Sequence, residues 1–282
     1  MKPVAETRSY EAPDGTRLAW DEAGQGPAVL LLHGIGSSRR RWDPQVEALT
    51  AAGYRVVRLD QRAFGDSEGA EQRYGMDRFL GDLVGFIDHL ALNVVHVVGH
   101  SLGAMVAQRY AVEHAARLKS LVLASTTSHN GRRATAFARV MTLLAERGFE
   151  QVLNDPALRP EAERALAEAF PGAPVPLEML KVGVEKPNPA RANAWRACCD
   201  FSTKDRLGEL ACPVLVMHGS ADPLIPFRAG QLVHEAISHS EWIPFEGAGH
   251  SLPRERAEEF NRAVLDFLRR AEAREPAALA AR

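Results

Sequence analysis

The feature that most narrows the fold is a series of short apolar runs, most of them without polar alternation. AVLLLH (28–33), YRVVRLD (54–60), VVHVVGH (94–100), KSLVLAS (119–125), PVLVMHG (213–219) and EWIPFEG (241–247) are each of strand length. A strand with one wet face alternates polar and apolar side chains. Continuous runs suit strands covered on both faces, as in a parallel sheet. Helical patterns separate them at 42–52, 76–92, 102–115, 228–237 and 254–271. Each leaves room for a crossover, so the body reads as α/β, a mostly parallel doubly wound sheet with helices on both faces. A hairpin precedes it, Thr7–Glu11 and Thr16–Asp21 around the Asp14-Gly15 turn.

The alternation breaks once. Between Ser125 and Pro213 no strand pattern occurs; 132–147, 160–170, 176–183 and 189–201 read as helices punctuated by prolines. A structureless loop of that length is improbable, so a helical insertion is expected. The 282 residues therefore divide into one core, 1–126 plus 207–282, interrupted by a helical segment, 127–206. The end, 271–282, reads as a frayed tail.

Charge and cysteine content narrow the function. Thirty-four basic against 36 acidic residues leave a net charge of −2, which offers no field for a polyanion, so no nucleic-acid partner is expected. Cys198, Cys199 and Cys212 are odd in number, and no zinc-type spacing surrounds them; neither a disulfide framework nor a metal site is expected. No apolar run approaches membrane-spanning length, and the opening MKPVAETRSYEAPDG lacks the apolar core of a secretory signal. A cytoplasmic protein without a membrane partner is the expectation.

Gly99-His100-Ser101-Leu102-Gly103 is a GxSxG string between a buried strand pattern and a helix start. In that context a serine sits on a tight turn with its hydroxyl exposed, and glycines are needed because helix and strand backbones approach closely. The helix N-terminus adds free N–H groups and partial positive charge. The plainer alternative is Ser101 as a helix cap. A serine nucleophile needs a base, and the base an orienter. Of the ten histidines, His89, His114, His234 and His239 fall in helical patterns and read as solvent-facing, and His96 as a core residue. His250 follows the last strand, where a side chain reaches the carboxyl edge of the sheet. Asp222 follows PVLVMHGSA at another strand end, whereas the end after KSLVLAS carries Ser125, Thr126 and Thr127 and no carboxylate.

The order Ser101, Asp222, His250, with LLHGIGSS, LDQRAFGDS, VVGHSLGAMVAQ, LVLAS, PVLVMHGSADPLIP and PFEGAGHSLPRE, resembles the α/β-hydrolase family over about 200 residues. RRRWDPQVEALTAAGYRVVRLDQR is similar to the small esterase, enol-lactonase and C–C hydrolase branches. The resemblance implies Ser101 as nucleophile, Asp222 as acid and His250 as base. It implies the backbone N–H groups of Ile35 and Leu102 as oxyanion donors, Gly34 and Gly36 as bare backbone there, and His33 as a residue holding that loop. Ala63 stands where the family usually has glycine. A serine rather than an aspartate at the nucleophile position separates the chain from the dehalogenating and epoxide-opening relatives.

The same resemblance turns the insertion into a lid, with Phe137, Met141 and Trp195 as candidate substrate contacts. Arg191 and Arg196 could meet a substrate carboxylate but read better as a solvated helix face, and Arg39-Arg40-Arg41 as an exposed helix start. The expected activity is a serine hydrolase cleaving a small carboxylic ester or lactone through an acyl-enzyme on Ser101, with no cofactor and a small-molecule partner. The alternatives are a C–C hydrolase of a β-diketone-like ring-fission product, or a ligand-receptor relative with slow hydrolysis.

Overall fold

Both faces of the central strands are apolar because both are covered. A computed structural model of the chain describes residues 6–274 apart from 71, 173, 174, 182, 183 and 185. The elements run β1 (Arg8–Glu11), β2 (Arg17–Ala23), β3 (Ala28–Leu32), α1 (Asp43–Ala51), β4 (Arg55–Leu59), α2 (Met76–His89), β5 (Val95–His100), α3 (Leu102–Glu113) and β6 (Leu118–Ala124). Then come α4 (Arg132–Arg147), α5 (Phe149–Asn154), α6 (Leu158–Ala169) and α7 (Pro189–Cys199). The chain closes with β7 (Val214–Gly219), α8 (Phe227–Ala236), β8 (Glu241–Phe245), α9 (Leu252–Glu255) and α10 (Ala257–Ala273). Most of the segment expected to fray, 275–282, lies outside the described residues.

These residues form one sheet in the order β1-β2-β4-β3-β5-β6-β7-β8. The pairs β1–β2 and β2–β4 are antiparallel, and the remaining pairs are parallel. Leu30 and Leu32 of β3 join Phe79, Phe86, Met105 and Tyr110 from α2 and α3 on one face. Val29 and Leu31 join Leu49, Phe260, Val264 and Phe267 from α1 and α10 on the other. Alternate side chains of a strand point to opposite faces, so a strand sandwiched this way is mostly apolar on both, with Arg58, His96, Ser120 and His218 among the buried polar exceptions. No described helix is long and apolar enough to cross a membrane.

The start of the first helix corrects one expectation. Arg39–Trp42 forms a tight 3-10 turn before α1, and Arg39 is not exposed: it is 1% accessible and pairs with Asp60 and, at 3.0 Å, with Asp21. Those carboxylates come from β2 and from the end of β4, which makes burial of the guanidinium tolerable. Arg40 is exposed, as expected.

Between β6 and β7 the described helices pack on one another. Val140, Leu144, Phe149, Val152, Leu166 and Ala192 form their own apolar cluster. Gly148, at φ +83, separates α4 from α5, a helix the sequence pattern did not suggest. The helix expected over 176–183 is a single 3-10 turn, Leu177–Leu180, and 182 and 183 lie outside the described residues. The two ends of the segment are laced together by an isolated bridge between His129 and Ser202 and by the Thr203 N–H donating to Ser128 O at 2.8 Å. Gln108, fully buried on α3, donates to Thr127 O at 3.0 Å and accepts from Thr203 Oγ1 at 2.8 Å. One core side chain thus holds both ends.

Candidate active site

Ser101 is the single residue between β5 and α3, and it has φ +54 and ψ −118. A non-glycine residue pays about 1–3 kcal/mol for such a conformation, which persists only where the surroundings enforce it. The enforcing contacts are close. A Cβ on Gly99 would lie 2.6 Å from Ala104 Cα, and one on Gly103 would lie 2.2 Å from Leu32 O. Both glycines are therefore required for α3 to leave the sheet at this angle. The Ser101 N–H donates to Ala124 O at 3.0 Å, which ties the turn to β6.

Two further strand ends deliver the partners. His250 lies in the loop after β8, and a Cβ on Gly219 at the end of β7 would meet Ala248 O at 2.2 Å, so a bare backbone lets that loop settle on the sheet edge. The Ser101 hydroxyl and His250 Nε2 are 3.1 Å apart, and His250 Nδ1 is 2.8 Å from Asp222 Oδ2. The Asp222 side chain is fully buried. Its Oδ1 accepts the N–H groups of Leu224 at 2.8 Å and Ile225 at 2.9 Å, while His218 Nε2 stands 3.4 Å from Oδ2. Burial alone would raise the Asp222 pKa. The hydrogen bonds from His218, His250 and the backbone outweigh it and hold the carboxyl well below the usual range. An ionised Asp222 is what keeps a proton on Nδ1 and leaves Nε2 free to accept from the serine. Beneath the pair, His100 Nε2–H donates to His250 O at 2.7 Å, and burial pushes His100 down to about 3, so that its ring is neutral.

The loop after β3 forms the opposite side. His33 Nδ1–H donates to Gly34 O at 2.8 Å, its Nε2 accepts the Gln61 N–H at 3.0 Å, and burial lowers its pKa. A Cβ on Gly34 would lie 3.0 Å from Ser101 Cβ, which explains the glycine. Ile35 and Leu102 flank Ser101 in the cavity wall. Leu102 is the first residue of α3, so its N–H has no acceptor within the helix. Ala63, in the next loop, takes the left-handed conformation (φ +68) that suits glycine, and its N–H donates to Glu68 O at 2.8 Å.

Ser101 and His250 open into a cavity of about 750 Å³. Met105, Phe137, Ala138, Phe170, Trp195, Ile225 and Leu232 make its walls mostly apolar, and no Asp or Glu among the described residues lines it. Phe137 sits edge-on between Phe170 at 5.7 Å and Trp195 at 5.8 Å. Phe137 and Trp195 thus face the cavity, but Met141 does not. Four residues further along α4, it is 8% accessible and packed in the interior of the helical layer with Leu144 and Leu166. Neither Arg191 nor Arg196 lines the cavity. Arg196 pairs with Glu146, and the Arg191 guanidinium lies over the Phe64 ring at 5.7 Å. Cys198 does line it, but burial pushes its thiol up to about 12, far from a reactive thiolate. No group of three or more His, Cys, Asp or Glu among the described residues could hold a metal ion.

A family model described as the alpha/beta hydrolase fold matches residues 27–257. The chain belongs to the α/β-hydrolase family. It is 33% identical over 267 residues, 88% of its own length and 94% of the relative's, to a protein of Variovorax paradoxus assigned as the carbamate hydrolase RutD. It is 27% identical to 2-hydroxy-6-oxo-6-phenylhexa-2,4-dienoate hydrolase of Comamonas testosteroni, over 89% of this chain and 91% of that one. The solved enol-lactonase of Burkholderia xenovorans LB400 matches with a TM-score of 0.74 at 25% identity, covering 93% of this chain and 100% of that one.

Within this hydrolase frame, His100 and His218 are the partners that sequence reasoning passed over. Each had a signal. His100 is the variable residue inside the GxSxG string, directly beneath the turn, and His218 lies four residues before Asp222 on an otherwise apolar strand. A histidine buried at a strand's carboxyl end needs a polar partner nearby, and here both face the His250–Asp222 pair.

Proposed function

We propose that the protein hydrolyses a small carboxylic ester or lactone through an acyl-enzyme on Ser101. The observation that carries this reading is the chain of contacts from the Ser101 hydroxyl to His250 Nε2 at 3.1 Å and from Nδ1 to Asp222 at 2.8 Å, opening into an apolar cavity. His250 takes the Ser101 proton as Oγ bonds to the carbonyl carbon, and the oxyanion that forms accepts from the N–H groups of Ile35 and Leu102. His250 then gives that proton to the departing alkoxide, the C–O bond breaks, and the acyl group stays on Oγ. Water repeats the sequence: His250 takes its proton, hydroxide adds to the acyl carbon, and the proton returns to Oγ as the acid leaves. The helical segment 127–206 acts as a lid in this reading. Its laced ends, and the presence of Phe137 and Trp195 in the wall of the cavity that Ser101 lines, support that role.

The same attack on a carbonyl carbon serves a carbamate, an enol lactone or a 6-oxo-dienoate, the substrates in the names of the three relatives, and would also serve a C–C bond beside a ketone. A panel of p-nitrophenyl esters, lactones, carbamates and a β-diketone, run with wild type and Ser101→Ala, tests the proposal. Esters or lactones are expected to be the fastest, with Ser101→Ala at least about a hundredfold slower. Turnover no faster in wild type than in the alanine variant contradicts the proposal, and a β-diketone outpacing every ester transfers the assignment to C–C hydrolysis.

A further inference from the structure

The loop that carries His250 has little stiffness of its own: Gly247 sits at φ +69, and Gly249 directly precedes the histidine. One carboxylate grips the backbone at the N–H groups one residue before and one residue after His250, while the carbonyls of the same two peptides, Ala248 O and His250 O, accept from the Ala221 N–H and His100 Nε2. Glu255, at the end of α9, accepts the Gly249 N–H through Oε2 at 2.7 Å and the Ser251 N–H through Oε1 at 2.9 Å. Bonding to Ser251 alone would be an ordinary helix cap. The second oxygen reaches past His250 to a peptide outside the helical turn, which capping does not require. A Cβ on Gly249 would lie 2.9 and 3.1 Å from the two carboxylate oxygens, so glycine there is what admits the carboxylate to the backbone. The Ser251 hydroxyl in turn accepts from Arg41 Nη2, and Arg41 belongs to the turn that follows the Ile35 loop.

We infer that Glu255 is a positioning residue for His250. It fixes the Ala248–Gly249 and His250–Ser251 peptides so that Nε2 stays in reach of Ser101, and through Ser251 and Arg41 it sets His250 relative to the Ile35 N–H. Glu255 does not line the cavity and is itself exposed, so its loss leaves neither a hole in the core nor a missing substrate contact. Hydrogen bonds from backbone N–H groups to an ionised carboxylate are among the stronger kind, and a displacement of about 1 Å at a catalytic group can cost on the order of a hundredfold in rate. The inference rests on the Ser101–His250 reading above.

The experiment compares wild type, Glu255→Ala, Glu255→Gln and Gly249→Ala in three measurements: steady-state hydrolysis of a p-nitrophenyl ester, thermal melting, and the downfield proton signal of His250 Nδ1–H, assigned by its loss in His250→Ala. Glu255→Ala is expected to lower kcat roughly ten- to hundredfold with KM within about threefold. Gly249→Ala should reproduce that effect by displacing the carboxylate, and Glu255→Gln, which keeps one acceptor oxygen, should fall between. In a His250→Ala background Glu255→Ala should leave the residual rate unchanged. The Nδ1–H signal should broaden or shift in the Glu255→Ala protein while melting moves by only a few degrees. An unchanged Nδ1–H signal overturns the inference whether or not the ester is turned over. An undiminished kcat, or an equal loss in the His250→Ala background, overturns it too. Wild type that shows the signal but hydrolyses nothing counts against the proposed activity alone.

Discussion

The floor and the roof of the cavity are built by different means. In the floor, Ser101, Asp222 and His250 stand at the ends of β5, β7 and β8, with their polar atoms engaged by identified partners. In the roof, Phe137, Phe170 and Trp195 are held by packing against one another. Hydrogen-bond valence and tight backbone approach leave the floor almost no alternative residue, whereas apolar packing asks mainly for volume and shape. The floor is therefore suited to conserve a chemistry, and the roof to vary which molecule meets it.

Acid tests the contrast first. His33, His96 and His100 are buried beneath the sheet's helices, and burial lowers the pKa of each, His100 from 6.5 to about 3. The unfolded chain therefore takes up a proton on His100 below about pH 6.5 while the folded protein does not, so stability declines from there down to about pH 3. At pH 5 this one residue should cost on the order of 2 kcal/mol. The helical segment 127–206 holds no fully buried histidine: its sole one, His129, is half-buried. Denaturant unfolding at pH 7 and pH 5, with hydrogen exchange to locate the loosening, should show the sheet weakening first and a flatter pH slope in His100→Gln. An identical slope in that variant would break the contrast.

On the roof, Phe137→Ala should shift acyl-chain preference and raise KM by roughly tenfold, since removing a buried aromatic face forfeits about 1–3 kcal/mol of binding contact, while kcat for the smallest ester stays within about threefold. A collapse of kcat for every ester would mean that the roof does chemical work. The smallest effect concerns Ala63. Glycine there should relieve the left-handed strain and raise stability by up to about 1 kcal/mol, offset in part by backbone entropy, with activity unchanged. A lower melting temperature would show that the Ala63 methyl packs usefully.

The sequence was legible where one physical rule dominates. Continuous apolar runs marked β3 to β7 because burial on both faces favours apolar side chains throughout, and Ser101, Asp222 and His250 stood out because each follows a strand pattern within a few residues. Arg39 was misread since its carboxylate partners, Asp21 and Asp60, lie about twenty residues away on either side, on other elements. Met141 shares a helical stripe with Phe137, and periodicity alone does not say which residue of a stripe looks into a cavity and which is covered by the next helix. Glu255 was invisible for a related reason: its function depends on where a glycine loop passes, not on its own pattern.

The central claim is that Ser101 is the acyl-accepting nucleophile, and labelling with a fluorophosphonate tests it most directly. One equivalent is expected on the Ser101 peptide, with ester turnover lost in proportion and labelling at least about a hundredfold slower in His250→Ala. A label on another residue, or full ester turnover after stoichiometric labelling of Ser101, would contradict the account.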